Sequence, residues 1–126
     1  MFEIQSRTKF TRNGITLGGV TTLSAGAIAE FDESFSAGSL ILNEAIDVSA
    51  LKAILVVADV DCLLEFNGDG APQFVAVNLA AGEPFAWNNR SGLDNPFGST
   101  DVESIAVSSD PVPVRFQMMI LTDPTP

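Results

Sequence analysis

Two stretches of the sequence gather side chains able to do chemistry. The first is Trp87-Asn88-Asn89-Arg90-Ser91-Gly92-Leu93-Asp94-Asn95-Pro96-Phe97, which combines rings, amides, a guanidinium and a carboxylate. A carbohydrate site uses such a set: a ring covers the apolar face of a sugar, and amides or carboxylates bond its hydroxyls. On that reading Trp87, Asn88, Asn89, Arg90 and Asp94 are the sugar-binding residues. A structural reading competes with it. Phe85 and Trp87 share one face of a strand, where large rings pack into a core, and Asn or Asp side chains in a following loop bond nearby backbone.

The second stretch places Asp59, Asp61, Asn67 and Asp69 close together, and oxygen ligands of this kind suit a hard cation. Their spacing departs from an EF-hand loop and no closing glutamate follows. They read as turn and edge acids, so no metal and no other cofactor is expected.

Other chemistries are excluded by what is missing. The chain has no histidine and one cysteine, Cys62. Ser-His-Asp triads, Cys–His pairs, His/Cys zinc sites and an intramolecular disulfide therefore cannot be built. The only lysines, Lys9 and Lys52, do not follow a glycine, so no P-loop is present. A carboxylate pair can hydrolyse a glycoside, but the acids are scattered and nothing selects two of them. No enzymatic activity is expected.

The charge is unevenly placed. Of 126 residues, 6 are basic and 16 acidic, for a net charge of −10. Residues 1–12 hold Arg7, Lys9 and Arg12 against the single acid Glu3. A +2 segment thus precedes a body of −12, which holds three basic groups against fifteen acids. Such a body repels phosphate backbones, so nucleic acid is not an expected partner. The longest apolar run, Ala53 to Ala58, is far short of the ~20 residues a membrane helix needs, and the basic start is not followed by the apolar stretch of a secretory signal.

These side chains must be carried by short strands. Val112, Val114, Phe116, Met118 and Ile120 alternate with Pro113, Arg115 and Gln117, until Met119 and Leu121 make the second face apolar as well. That strand is either covered on both sides by its own fold or turns Met119 and Leu121 toward a partner. Cys62 to Phe66, Phe74 to Leu79, Pro84 to Asn88 and Ile105 to Val107 read as further strands. Ile15 to Leu17, Val20 to Leu23, Ala27 to Phe31 and Leu40 to Leu42 complete the set, spaced by glycines. Val48 to Leu51 reads as one helical turn leading into a buried strand, since Ile54-Leu55-Val56-Val57 is rich in β-branched residues.

At least eight short strands with frequent turns and almost no helix predict an all-β fold, an antiparallel β-sandwich of jelly-roll type. Residues 1–14 are expected to form an extended basic N-terminal arm, and residues 15–126 the sandwich. Phe2, Arg7, Lys9, Phe10 and Arg12 are the arm's candidate partner-binding residues. The alternative is a frayed, solvated terminus.

Residues 48–126 resemble small β-sandwich virion proteins of tailed bacteriophages. The resemblance is carried by Leu64-Glu65-Phe66-Asn67, by Gly82-Glu83-Pro84-Phe85-Ala86-Trp87-Asn88, by Asn95-Pro96-Phe97 leading to Asp101-Val102, and by a long strand closing on Leu121-Thr122-Asp123-Pro124-Thr125-Pro126. It implies a non-enzymatic capsid decoration (cement) protein on the outer surface of a phage head. The implied partners are other copies of the chain, in a homotrimer, and the major capsid protein. The alternatives are a carbohydrate-binding or receptor-binding module acting through Trp87 to Asp94, and a tail or neck component. Loss of residues 1–12 is expected to weaken attachment and leave the fold intact.

Overall fold

The computed structural model describes residues 2–35, 39–42, 45–67, 75–90, 92–98, 100–109 and 114–123, with the side chains of Phe2, Ser6, Thr8, Phe10, Arg12, Thr21, Ser39 and Leu40 outside the description. Ten strands follow in order: β1 Phe2–Arg12, β2 Ile15–Ala25, β3 Ala27–Phe35, β4 Ser39–Leu42, β5 Leu51–Ala58, β6 Cys62–Phe66, β7 Val75–Leu79, β8 Phe85–Asn88, β9 Ile105–Ser108 and β10 Val114–Thr122. A single 3-10 turn, Val48–Ala50, precedes β5. Asp47 caps it by accepting from the Ser49 backbone N–H at 3.1 Å and the Ser49 hydroxyl at 2.7 Å. Among the described residues no helix is long and apolar enough to cross a membrane.

Strands β3 to β10 form two four-stranded antiparallel sheets, ordered β3-β10-β5-β8 and β4-β9-β6-β7. The first strand of this set pairs with the last, the second with the next to last, and so inward to the β6–β7 pair. A long antiparallel ribbon wound into two facing sheets is the jelly-roll arrangement, as the strand pattern predicts.

Period-two alternation fills the space between the sheets. Val114, Phe116, Met118 and Ile120 of β10, Ile54 and Val56 of β5, Leu64 and Phe66 of β6, and Ile105 and Val107 of β9 belong to one buried cluster. Phe66 sits at its centre, edge-on to Phe97 with ring centroids 4.7 Å apart and tilted against Phe85 at 6.5 Å. Since Phe85 belongs to one sheet and Phe66 to the other, this aromatic group ties the layers together.

The expected boundary at residue 14 is corrected. β1 and β2 pair along their whole length, from Phe2 opposite Ala25 to Arg12 opposite Ile15, as a separate two-stranded sheet. Asn13 and Gly14 form its turn with φ of 52° and 77°. Positive φ at both central residues marks the type I′ turn, whose twist matches that of paired strands. The arm is therefore a ribbon spanning residues 2–25, and the sandwich begins at Ala27.

Candidate functional site

The ribbon has a docked base and a projecting tip. At its base Leu23 and Ala25 are buried against Ala53 of β5 and Leu121 of β10, with Ile4 and Ile28 packed alongside. Arg90, at the end of β8, donates from Nη1 to the Thr22 carbonyl at 3.2 Å and braces the same end. Beyond this base, every described side chain from Gln5 to Val20 is exposed. Eleven-residue strands at about 3.3 Å per residue carry the turn some 25 Å past the docked rows.

Strand parity gives the ribbon two unlike faces. Ile15 and Leu17 share the β2 face of Leu23 and Ala25, yet they are 67% and 70% exposed. The face that grips the sandwich at the base therefore carries a second apolar pair at the tip, beyond Thr21 and Gly19, with no described residue covering it. The opposite face carries Gln5, Arg7, Lys9, Thr11 and Thr16. Arg7 donates from Nη2 to the Gln5 Oε1 beside it, at 3.4 Å. Of the expected arm residues, Arg7 and Lys9 are exposed on this polar face. Phe10 is opposite Leu17 and Arg12 opposite Ile15 in register, with Phe2 opposite Ala25 at the base. The side chains of Phe2, Phe10 and Arg12 lie outside the described set.

The outer face of the β3-β10-β5-β8 sheet is the second surface. Its rows are set by register: Ile28, Leu121 and Ala53 in one, then Glu30, Met119, Leu55 and Ala86, then Asp32, Gln117 and Val57. The first row lies under the ribbon. Leu121, expected to face a partner, is 0% exposed, because the chain's own hairpin covers it. That expectation is corrected. Met119 is half-buried in the next row, and its neighbour Leu55 is 43% exposed. Leu55 escaped sequence reasoning because it sits inside a continuous apolar run, where alternation cannot separate inward from outward positions.

A β-bulge adjusts this surface. Pairing between β10 and β5 slips between Leu121 and Thr122, leaving Lys52 as the extra residue. The bulge places Leu51 and Ala53 both in buried positions, the latter beneath the ribbon. The Lys52 carbonyl accepts from the Asn89 N–H at 2.9 Å, tying the β8 end to the bulge.

Residues 87–90 and 92–98 are braced by the chain's own hydrogen bonds. Trp87 packs against the core, and its Nε1 donates to the Leu93 carbonyl at 3.1 Å. The Asn88 Oδ1 accepts from the Arg90 N–H at 3.0 Å, and the Asn95 Oδ1 from the Phe97 N–H at 2.9 Å, where Phe97 is buried. Asn89 and Asp94 are exposed. The structure thus brings Trp87, Asn88 and Arg90 together as a bracket for the loop and the ribbon base.

The acidic stretch is also built into turns. Asp59 accepts the Arg115 N–H at 2.7 Å, Asp61 the Ala81 N–H at 2.8 Å, and the Asn67 Oδ1 the Glu103 N–H at 2.7 Å. Asp69 lies outside the described residues. Among the described residues no three acidic, Cys or His side chains gather as metal ligands. Cys62 is buried, and that burial, with the Asp61 and Asp59 charges nearby, pushes its thiol pKa up. Asp32 and Arg115 form a two-pronged exposed ion pair at 3.0 and 2.8 Å, which holds the Asp32 carboxyl below its ordinary pKa.

No family model matches the chain, and no curated protein matches it. Two solved structures are similar in backbone. One is the solution NMR structure of a de novo designed double-stranded beta-helix, 14% identical, with a TM-score of 0.42 over 73% of this chain and 97% of that one. The other is the crystal structure of Drosophila melanogaster CENP-C bound to CAL1, 10% identical, with a TM-score of 0.40 over 90% of this chain and 78% of that one. Neither likeness assigns a function.

Proposed function

We propose that this protein is a structural virion protein, a capsid decoration (cement) protein that stabilises a phage head by bridging capsid subunits from the outside. The observation that carries the proposal is the ribbon: its apolar face runs past the body that anchors it, leaving Ile15 and Leu17 two-thirds exposed at the tip. Large apolar side chains on a stiff projection mark an interaction surface. The resemblance of residues 48–126 to small phage virion proteins supplies the setting.

Binding alone suffices for such a role. A ligand that binds only the assembled shell shifts the equilibrium toward assembly by its own binding free energy. The two faces of the ribbon suit bridging, since Arg7 and Lys9 address an acidic surface while Ile15 and Leu17 address an apolar one.

The test is location in a purified particle carrying the chain. Immunogold labelling of the outer head surface is expected, with occupancy reduced in Leu17→Ser. Point substitution is cleaner than removal of residues 1–12, which would leave β2 without its pairing partner. Label confined to the tail or neck, or absence from the particle, would overturn the proposal. So would saturable glycan binding that disappears in Trp87→Ala with the fold retained.

A further inference from the structure

The projecting tip and the outer sheet face are complementary surfaces within one sequence. Next to the row covered by the ribbon base lies a groove of about 400 Å³, whose lining includes Leu55, Val57, Pro84, Gln117 and Met119. The ribbon base already shows what fits this sheet face: Leu23 and Ala25 close over Leu121 and Ala53. Ile15 and Leu17 continue the same ribbon face, and Leu55 and Met119 continue the same sheet face one row on.

A chain's own tip does not fill its own groove. The base is fixed on the neighbouring row, the tip lies some 25 Å beyond it, and Ile15 and Leu17 remain 67% and 70% exposed. Charge selects the occupant. On the tip face Arg12 stands opposite Ile15 in register, beside Leu17, while Arg7 and Lys9 lie on the other face of the same thin ribbon, and the rest of the chain is strongly acidic. Exposed Glu30, in the Met119–Leu55 row, and Glu83, next to the lining Pro84, supply acidic charge at the groove, while Asp32 nearby is paired with Arg115. The surface that best complements this acidic, apolar groove is the ribbon of a second copy.

We propose that the ribbon tip of one copy, through Ile15 and Leu17, docks in the Leu55–Met119 groove of a second copy. The contact is head to tail, because tip and groove are different surfaces, and each copy offers both. A head-to-tail contact repeats until it closes a ring or grows a filament; closure gives a small cyclic oligomer. The proposal deepens the assembly reading and rests on the same ribbon. Its test uses no particle, so its failure leaves the location experiment free to stand or fall alone.

The experiment is analytical ultracentrifugation of the full chain and of two variants, Ile15→Ser/Leu17→Ser in the tip and Leu55→Ser in the groove. All three positions are exposed, and circular dichroism and thermal melts check that the fold is kept. The wild type is expected as a closed oligomer that weakens as salt rises. Each variant is expected to be monomeric, with self-affinity reduced at least ~100-fold as at a central interface position. Mixing the two variants is expected to restore a one-to-one dimer, since one intact groove then meets one intact tip. Ile41→Ser and Leu93→Ser, which remove other exposed apolar side chains, are expected to leave the oligomer intact. A monomeric wild type, oligomeric tip or groove variants, a mixture that stays monomeric, or dispersal by Ile41→Ser or Leu93→Ser would each overturn the proposal.

Discussion

Replacing Leu23 with alanine should detach the ribbon without unfolding the sandwich. Leu23 is 4% exposed and, among the described ribbon side chains, is the largest one buried over Ala53 and Leu121. Truncating a buried leucine costs ~2–5 kcal/mol, including the cavity left behind. The lower part of that range applies here, because the ribbon can lift away and let water fill the gap. Among the described residues, Ala25, the partly buried Ile4 and the Arg90–Thr22 hydrogen bond remain to hold the base. A loss of ~2–4 kcal/mol corresponds to roughly 30- to 1000-fold in the docking equilibrium. A two-stranded ribbon alone is marginal in water, so undocking should also loosen its cross-strand bonds. Hydrogen exchange reads this directly: backbone protection in β1 and β2 should fall by that factor, while β6 and β9 keep theirs. Equal loss of protection across the ribbon and both sheets would refute the reasoning, showing the ribbon to be part of one cooperative unit. Unchanged protection in β1 and β2 would refute it from the other side.

Three further outcomes are expected. Phe66→Ala removes the ring that joins the two sheets through Phe85 and Phe97, and denaturant titration should show a loss of ~3–5 kcal/mol; a loss below ~1 kcal/mol would mean that the core closes around the vacancy. Gly14→Val forces a β-branched residue into φ +77°, so protection in the ribbon should fall by at least about tenfold, with the core cluster unaffected. Cys62 has a thiol pKa raised by burial and by Asp61 and Asp59, so the neutral thiol is favoured in the folded state. Its contribution to stability is full below the unfolded thiol pKa and is lost as pH rises through the higher folded value. Labelling by a thiol reagent should accordingly be far slower in the native protein than in denaturant, and equal rates would contradict the burial.

What the sequence revealed depended on range. Alternation from Val114 to Ile120 and from Cys62 to Phe66 identifies inward side chains because period two is a local property of a strand. Asn13 and Gly14 likewise meet a local demand, the positive φ values of a tight hairpin turn. That turn joins Ile15–Ala25 to β1, and Gly18-Gly19 runs through the middle of β2 instead of dividing it, so the arm is twice the length that its charge marks out. The double-faced end of β10 posed the hardest question. Met119 and Leu121 have the same parity and similar chemistry, yet one is half-buried and the other wholly buried. The difference is where a ribbon more than ninety residues earlier happens to end, and no local pattern encodes that. The Trp87 to Asp94 segment shows the reverse problem. Its composition suits a sugar, but Trp87, Asn88 and Arg90 bond local backbone or the ribbon.

The nested pairing of the sandwich also orders events in time. β1 and β2 are adjacent in sequence and can close on the microsecond scale of hairpins, as soon as residue 25 has been synthesised. β3 must wait for β10, its only strand neighbour in the sheet, across most of the chain. The seat for the ribbon base includes Leu121, from that last strand, so the early-forming hairpin has no complete place to dock until the body has closed. A hairpin alone is marginal in water, so the ribbon becomes a fixed lever only once β10 has closed the body beneath it.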